Sequence, residues 1–145
     1  MATTKRNQTI RELMTSDPFV LDASATVHDA ARAMKKCDIG DVLVRRDGKL
    51  WGIVTDRDLV VRALAEDPDN AARILLGDIA TTDIASVSPD TPIDEAIRMM
   101  RDKKVRRLPV VEGSRPLGIL SLGDLAVARD RESALAEISA APPTR

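Results

Sequence analysis

Two short segments of the sequence place a hydroxyl residue three positions before an aspartate, each directly after an apolar run. Thr55 precedes Asp58, and Ser121 precedes Asp124. A helix that begins at such a hydroxyl offers N–H groups that favour an anion. The carboxylate one turn later can accept two hydrogen bonds from a vicinal diol, such as that of ribose. The pattern therefore predicts two sites that each fit part of a nucleotide.

The same spacing has a second interpretation that needs no ligand. A Thr or Ser followed three residues later by an acidic residue is also a capping box, in which the two side chains bond each other's backbone N–H. The two interpretations are compatible, because a capping residue can also contact a ligand when one is present.

The two segments belong to a duplication. A shift of 66 residues places residues 10–62 on residues 76–128 without a gap, with identical residues at eleven positions. The identities include Gly52 with Gly118 and Asp58 with Asp124. Two copies are too few for a solenoid. We expect the copies to pack face to face about a pseudo-two-fold axis.

Each copy has the same order of predicted elements, β-α-β-β-α after a short entry turn. In the first copy, Asp47-Gly48 predicts a hairpin between strands at 42–44 and 50–54. The first short strand is expected around Val20 and around Val87. For the helices, apolar spacing predicts two buried stripes, formed by Val27, Ala30, Ala31 and Met34 and by Ile93, Ala96, Ile97 and Met100. In the second copy, the first helix is expected to begin with Thr91 as N-cap and Pro92 as its first residue.

This duplicated unit resembles a tandem pair of CBS domains, also called a Bateman module. The most specific elements are residues 52–58 (GIVTDRD) and 118–124 (GILSLGD), followed by residues 106–111 (RRLPVV). The resemblance implies an α+β fold with CBS domains at 8–66 and 74–131, a linker at 67–73 and a flexible tail at 132–145. The chain length is similar to stand-alone bacterial two-CBS proteins of the hypoxic response protein type.

The resemblance also implies where a ligand binds. In such modules each site lies in the cleft between repeats and includes the entry segment of the other repeat. The Asp124 site then includes Thr15 and Phe19, and the Asp58 site includes Thr81 and Ala85. Glycines 52 and 118 are expected to let a flat ligand approach the backbone, and the base is expected beside Val42 or Leu108. The implied ligands are AMP, ADP, ATP, NAD or S-adenosylmethionine, none of them obligatory.

The two sites differ in charge. The second copy has Arg106 and Arg107 where the first has Gly40 and Asp41, and Arg suits bidentate phosphate contact. We expect the Asp124 site to take phosphorylated ligands and the Asp58 site to be empty or to hold an uncharged adenosyl group. The alternative for the basic residues at 103–107 is a solvated cluster that suits a helix C-terminus.

Several other functions are disfavoured. A formal net charge of -1 gives no overall attraction to nucleic acid or membrane, and two aromatic residues cannot stack a run of bases. One Cys and one His exclude a Cys/His zinc cluster within the chain. An enzyme is disfavoured because the sequence contains no nucleophile–base pair, no set of metal ligands and no phosphate-binding P-loop. His28 is expected to be exposed, and Cys37 to be a small packed residue.

The expected partners are a small nucleotide, a second copy of the chain and an unidentified protein target. A homodimer is expected to use helix faces that include Ala30, Ala33 and Met99. No segment approaches the ~20 apolar residues of a membrane span, so a cytoplasmic location is expected. The rival hypothesis is a ligand-free structural or protein-interaction module in a stress response.

Overall fold

The computed structural model of the chain describes residues 8–132, with side chains described as far as residue 128. The predicted flexible tail lies outside the described residues from position 133 onward. In the first part of the chain the elements are α1 (Ile10–Leu13), β1 (Thr15–Ser16), β2 (Val20–Asp22), α2 (Val27–Cys37), β3 (Asp41–Arg46), β4 (Lys49–Thr55), α3 (Asp56–Asp58) and a π-helix (Leu59–Leu64). A 3₁₀ turn (Ala71–Arg73) precedes α4 (Leu76–Ile79), α5 (Ile93–Lys103), β5 (Arg107–Glu112), β6 (Arg115–Ser121) and α6 (Leu122–Glu132). The predicted α+β class is confirmed.

The chain forms two compact units. The first-repeat unit comprises Asp17–Ile84 and Gly113–Pro116, and the described part of the second-repeat unit comprises residues 8–16, 85–112 and 117–132. Each unit therefore contains the body of one repeat and the entry segment of the other.

The first-repeat unit has a three-stranded sheet in the order β2-β3-β4. Strand β2 is parallel to β3, with Val20 opposite Leu43, and β3 is antiparallel to β4. The connection between β3 and β4 is the predicted tight turn, because Asp47 and Gly48 both have positive φ, at 55° and 77°. Two consecutive positive φ values are what a type I′ hairpin requires.

Helix α2 covers this sheet. Its N-cap Thr26 forms a capping box with Asp29, and its buried residues are Val27, Ala30, Ala33 and Met34. The predicted stripe is therefore wrong at one position, since Ala31 is exposed and Ala33 is buried. Helix α2 therefore buries Ala33 in place of Ala31.

The segment after β4 is less regular than predicted. Helix α3 has three residues and continues as the π-helix, which buries Leu59 and Ala63. The 3₁₀ turn that follows packs Ala71 into the same core, where Ala71 is 7% exposed. The stretch at 67–73, interpreted from sequence as a linker, thus contributes an apolar side chain to the first-repeat unit.

The second-repeat unit has a sheet in the order β1-β6-β5. The strand predicted around Val87 is reduced to a single parallel bridge between Val87 and Val110. In α5 the N-cap is Pro92, not Thr91 as predicted. The Thr91 hydroxyl instead accepts a hydrogen bond from the N–H of Ser88, at 3.0 Å.

Both units have an aliphatic core, as the scarcity of aromatic residues requires. In the second-repeat unit the core contains Ile10, Val87, Ala96, Met100, Leu108, Val110, Leu120 and Leu125. Within residues 8–132, no helix is both long enough and apolar enough to cross a membrane.

Candidate functional site

Thr55 and Asp58 form a complete capping box at the end of β4. The Thr55 N–H donates to Oδ2 of Asp58 at 2.9 Å, and the Asp58 N–H donates to Oγ1 of Thr55 at 3.1 Å. Both side chains are partly buried. The capping interpretation is therefore correct for this pair. The capping box uses Oγ1 of Thr55 and Oδ2 of Asp58, so Oδ1 of Asp58 takes no part in it.

Arg62 faces that second oxygen. Its Nε lies 3.7 Å from Oδ1 of Asp58, and its Nη1 donates to the carbonyl oxygen of Ile79 at 2.9 Å. Sequence reasoning missed this residue, although the i,i+4 spacing of Asp58 and Arg62 is the usual one for a helix ion pair. The second copy has Ala128 at the matching position.

Strand pairing places an acidic residue beside the first hydroxyl. Asp41 lies directly opposite Thr55 in the β3–β4 ladder, and opposite residues of an antiparallel pair project from the same face of the sheet. The N–H of Asp56 donates to the carbonyl oxygen of Gly40 at 2.9 Å, which fixes this register at the start of α3. The first site is thus acidic at the position where a phosphate would approach the hydroxyl.

The second copy repeats this geometry with the opposite charge. The Ser121 N–H donates to Oδ2 of Asp124 at 2.9 Å, and the Asp124 N–H donates to Oγ of Ser121 at 3.0 Å. The N–H of Leu122 donates to the carbonyl oxygen of Arg106 at 2.8 Å, the equivalent of the Asp56–Gly40 bond. This shared register places Arg107 at the position that Asp41 occupies in the first copy.

The entry segments reach these strands as the resemblance implies. Thr15 pairs with Ile119 of β6, and Thr81 forms a bridge with Ile53 of β4. The N–H of Thr81 donates to the carbonyl oxygen of Ile53 at 3.0 Å, and the reverse bond has the same length. Each unit therefore places one Thr of the entry segment beside the strand that ends at its hydroxyl residue.

The structure gives the two glycines a role that the sequence did not predict. A Cβ on Gly52 would lie 2.7 Å from the Thr81 carbonyl oxygen, and one on Gly118 would lie 2.5 Å from that of Thr15. The close approach at both glycines is therefore made by the protein's own entry segment and not by a ligand.

The structure also places the other residues that the resemblance implies. Val42 and Leu108 are both 0% exposed and pack in the two cores, so their side chains are not among the ligand contacts that we propose below. Ala85 packs against the core of the second-repeat unit. Phe19 belongs to the first-repeat unit, where it lines a cavity beside α2. Arg106 is exposed and Arg107 is half-buried.

No titratable cluster suggests a metal in the part of the chain that the structure describes, where no three His, Cys, Asp or Glu side chains come together. The chemistry available at the two helix starts is hydrogen bonding and charge.

Comparison with known families agrees with this geometry. A model of the CBS domain matches residues 10–64 and 76–131. The chain is 38% identical over 136 residues to the uncharacterized protein YlbB of Bacillus subtilis, covering 90% of each chain. It is 33% identical over 121 residues to hypoxic response protein 1 of Mycobacterium tuberculosis, covering 81% of this chain and 82% of that protein.

Solved structures share the fold. The crystal structure of hypoxic response protein I with two coordinated zinc ions matches with a TM-score of 0.70 and 32% identity, covering 82% of this chain and 97% of that one. The CBS domain pair of the protein MJ0100, in complex with 5′-methylthioadenosine and S-adenosyl-L-methionine, matches with a TM-score of 0.75. It is 22% identical and covers 87% of this chain and 98% of that chain, a similarity of fold.

Proposed function

Because this chain belongs to the CBS domain family, we propose that it is a regulatory module that binds an adenine nucleotide or an adenosyl compound. The ligand forms hydrogen bonds with a hydroxyl and a carboxylate at the start of a helix. These groups belong to Ser121 and Asp124 in one site and to Thr55 and Asp58 in the other. Thr15 and Thr81 of the entry segments complete the two sites. The module carries out no catalysis, and its output is a change in how it engages a protein target.

The observation that carries this proposal is the inversion of charge at one register position. In both sites the carboxylate accepts the backbone N–H of the hydroxyl residue through Oδ2, so Oδ1 lies outside the capping box. Asp41 lies opposite Thr55 in the first site, and the equivalent backbone bond of the second copy puts Arg107 at the matching position. A purely structural cap needs neither charge, whereas a phosphate at the helix start is favoured by a neighbouring cation and repelled by an acid.

The two sites are therefore assigned different ligands. The Asp124 site, with Arg107 and the exposed Arg106, takes a phosphorylated nucleotide such as AMP, ADP, ATP or NAD. The Asp58 site is empty or takes an uncharged or cationic adenosyl group, since Asp41 repels phosphate and Arg62 already faces Oδ1 of Asp58. The fold is compatible with adenosyl ligands, because MJ0100 is crystallised with two of them.

Isothermal titration with each nucleotide, before and after matched substitutions, tests the assignment. Asp124→Asn retains an oxygen for the capping box but removes the charge that binds the diol, and Asp58→Asn is the same change in the other copy. We expect Asp124→Asn alone to weaken AMP binding about tenfold, a loss of about 1.4 kcal/mol. Unchanged AMP affinity in Asp124→Asn, with loss in Asp58→Asn, would contradict the assignment.

The second candidate function is a ligand-free protein-interaction module. It is favoured by the capping boxes, whose hydrogen bonds are all made within the protein, and by the exposed apolar residues Val60, Val61 and Leu64 of the π-helix. Thermal unfolding distinguishes the two candidates, since a ligand at a hundred times its dissociation constant adds about 2.7 kcal/mol of stability. No shift with any of the five nucleotides or adenosyl compounds at millimolar concentration would favour the second candidate.

The homodimer stays a prediction, and its expected surface needs revision. Ala30 and Ala33 are buried within the first-repeat unit, at 0% and 7% exposure, and Met99 packs against the core of the other unit. Ala30 therefore has no exposed surface with which to contact a second copy. Light scattering coupled to size exclusion would determine the oligomeric state.

A further inference from the structure

A cavity of about 650 Å³ lies beside α2 in the first-repeat unit, and nothing in the proposed function uses it. Its apolar walls are Phe19 and Leu21, from the β2 region, together with Ala33 of the helix. The volume falls within the range of sites that bind small molecules. Phe19 is 37% exposed, so an aromatic face remains open to a ligand.

The rim of the cavity is cationic. Arg32, Lys35 and Lys36 line it along one side of α2, and all three are exposed. Asp29 is the one acidic group in the lining, and its carboxylate accepts the N–H of Thr26 at 2.9 Å in the capping box. The rim therefore has a formal excess of two positive charges, which complements an anion.

The second repeat offers an internal comparison. At the positions that match Phe19 and Ala33, it has Ala85 and Met99. Met99 packs against the core of its own unit, so a long side chain occupies the helix position where the first repeat has a single methyl group. The first repeat thus combines a large ring on the strand side with a small residue on the helix.

From this combination we propose that the cavity binds a small organic anion with an apolar body, such as a carboxylate on an acyl chain. The apolar part lies against Phe19, Leu21 and Ala33, and the anionic group faces Lys36 and Arg32. None of the residues that line this cavity belongs to the two helix starts assigned to nucleotides. It gives the protein a second class of ligand.

The experiment uses decanoate as the probe and Cys37 as the reporter. Cys37 lines the cavity and is exposed, contrary to the expectation of a packed residue, and it is the one cysteine of the chain. We expect decanoate, below its micelle concentration, to slow alkylation of Cys37 by iodoacetamide in the full-length protein. The cation decyltrimethylammonium, with the same chain length, should protect at least about fivefold less well, because the rim is positive. Equal protection by both amphiphiles would overturn the proposal.

Three variants locate the effect. Ala33→Met introduces the residue of the second repeat and should abolish protection by filling the cavity. Lys36→Glu should weaken decanoate binding about three- to tenfold, since exposed charge pairs are individually weak. Lys49→Glu makes the same charge change on β4, outside the cavity, and should bind decanoate as the parent does. If Ala33→Met unfolds, Lys36→Glu against Lys49→Glu decides the question.

Two outcomes would give the cavity a different role. If AMP protects Cys37 as decanoate does, or if Asp124→Asn abolishes decanoate protection, the cavity belongs to the nucleotide site and the inference is wrong. If decanoate has no effect while Lys36→Glu changes the oligomeric state, the cavity is a contact between copies, which also overturns it. If the unsubstituted protein binds no AMP while decanoate still protects Cys37, the proposed function alone is wrong.

Discussion

At the scale of single residues, one position distinguishes the two sites. The capping boxes are alike to within a few tenths of an ångström, and the backbone bonds at Gly40 and Arg106 fix the same register. What differs is the side chain beside the hydroxyl, an aspartate at 41 and an arginine at 107. This difference could be read from the sequence, because the gapless duplication aligns the two positions. The involvement of Arg62 could not, because a helix pair i,i+4 on the surface is too common to indicate a site.

The charge difference predicts a gain of function. Asp41→Arg places a guanidinium opposite Thr55, as Arg107 stands relative to Ser121, and should create a second phosphate site. The stoichiometry measured by titration with AMP should then rise from about one to about two molecules per chain, because the first site would also hold a cation for the phosphate. Asp41→Asn is the matched control, which removes the repulsion without supplying a cation and should leave the stoichiometry unchanged. An unaltered stoichiometry in Asp41→Arg would argue against phosphate binding at the helix start.

At the scale of elements, the entry segments determine which glycines matter. Gly118→Ala would bring a methyl group within 2.5 Å of the Thr15 carbonyl oxygen and 2.7 Å of Sδ of Met14. Either β1 or β6 must move, and overpacking of this kind costs about 1–3 kcal/mol. Urea denaturation should show that loss of unfolding free energy.

For Gly123 we expect substitution by alanine to raise the free energy of unfolding instead of lowering it. Gly123 lies in α6, and a Cβ there would meet only Oγ of Ser121, at 3.7 Å. Gly123→Ala should stabilise the protein by about 0.5 kcal/mol, since alanine restricts the unfolded chain. If both substitutions destabilise equally, the close approach of β1 to Gly118 is not what constrains that position.

The cap of α2 predicts how the element responds to acid. The N–H and hydroxyl of Thr26, with the nearby charges of His28 and Arg32, hold the pKa of Asp29 below its ordinary value of 3.8. A carboxyl whose pKa is lower in the folded state stabilises the fold above its unfolded pKa. That contribution is lost as the pH falls through the folded pKa, below 3.8. Urea midpoints measured from about pH 6 down to about pH 3 should fall less steeply in Asp29→Asn than in the parent; an identical slope would show that the cap does not titrate with folding.

At the scale of the whole molecule, the sequence predicted the locally determined elements better than the elements that depend on contacts between distant parts of the chain. Local patterns identified β2, β3 and β4, the tight turn at Asp47-Gly48 and both capping boxes, because these depend on local chemistry. The irregular elements were missed, among them the π-helix and the buried Ala71, since tertiary packing decides them. The packing role of Gly52 and Gly118 was also missed, because the contacts of these strands with the entry segments join residues far apart in the chain.

The exchange of entry segments predicts that neither sequence half folds alone. The second-repeat unit needs Ile10, which is 0% exposed in its core, and the first-repeat unit needs Leu76, also 0% exposed. Fragments 1–66 and 67–145 each lack one of these side chains and the strand pairing next to it, and losing a buried Leu or Ile costs about 2–5 kcal/mol. We therefore expect neither fragment to show a cooperative thermal transition by circular dichroism, and an equimolar mixture to recover one. Ile10→Asp in the first fragment should reduce that recovery, because the second-repeat unit loses its apolar contact while the first-repeat unit still receives Leu76 from the second fragment. A cooperative transition in fragment 1–66 alone, at the midpoint of the full chain, would mean that the repeat folds without the segment it shares.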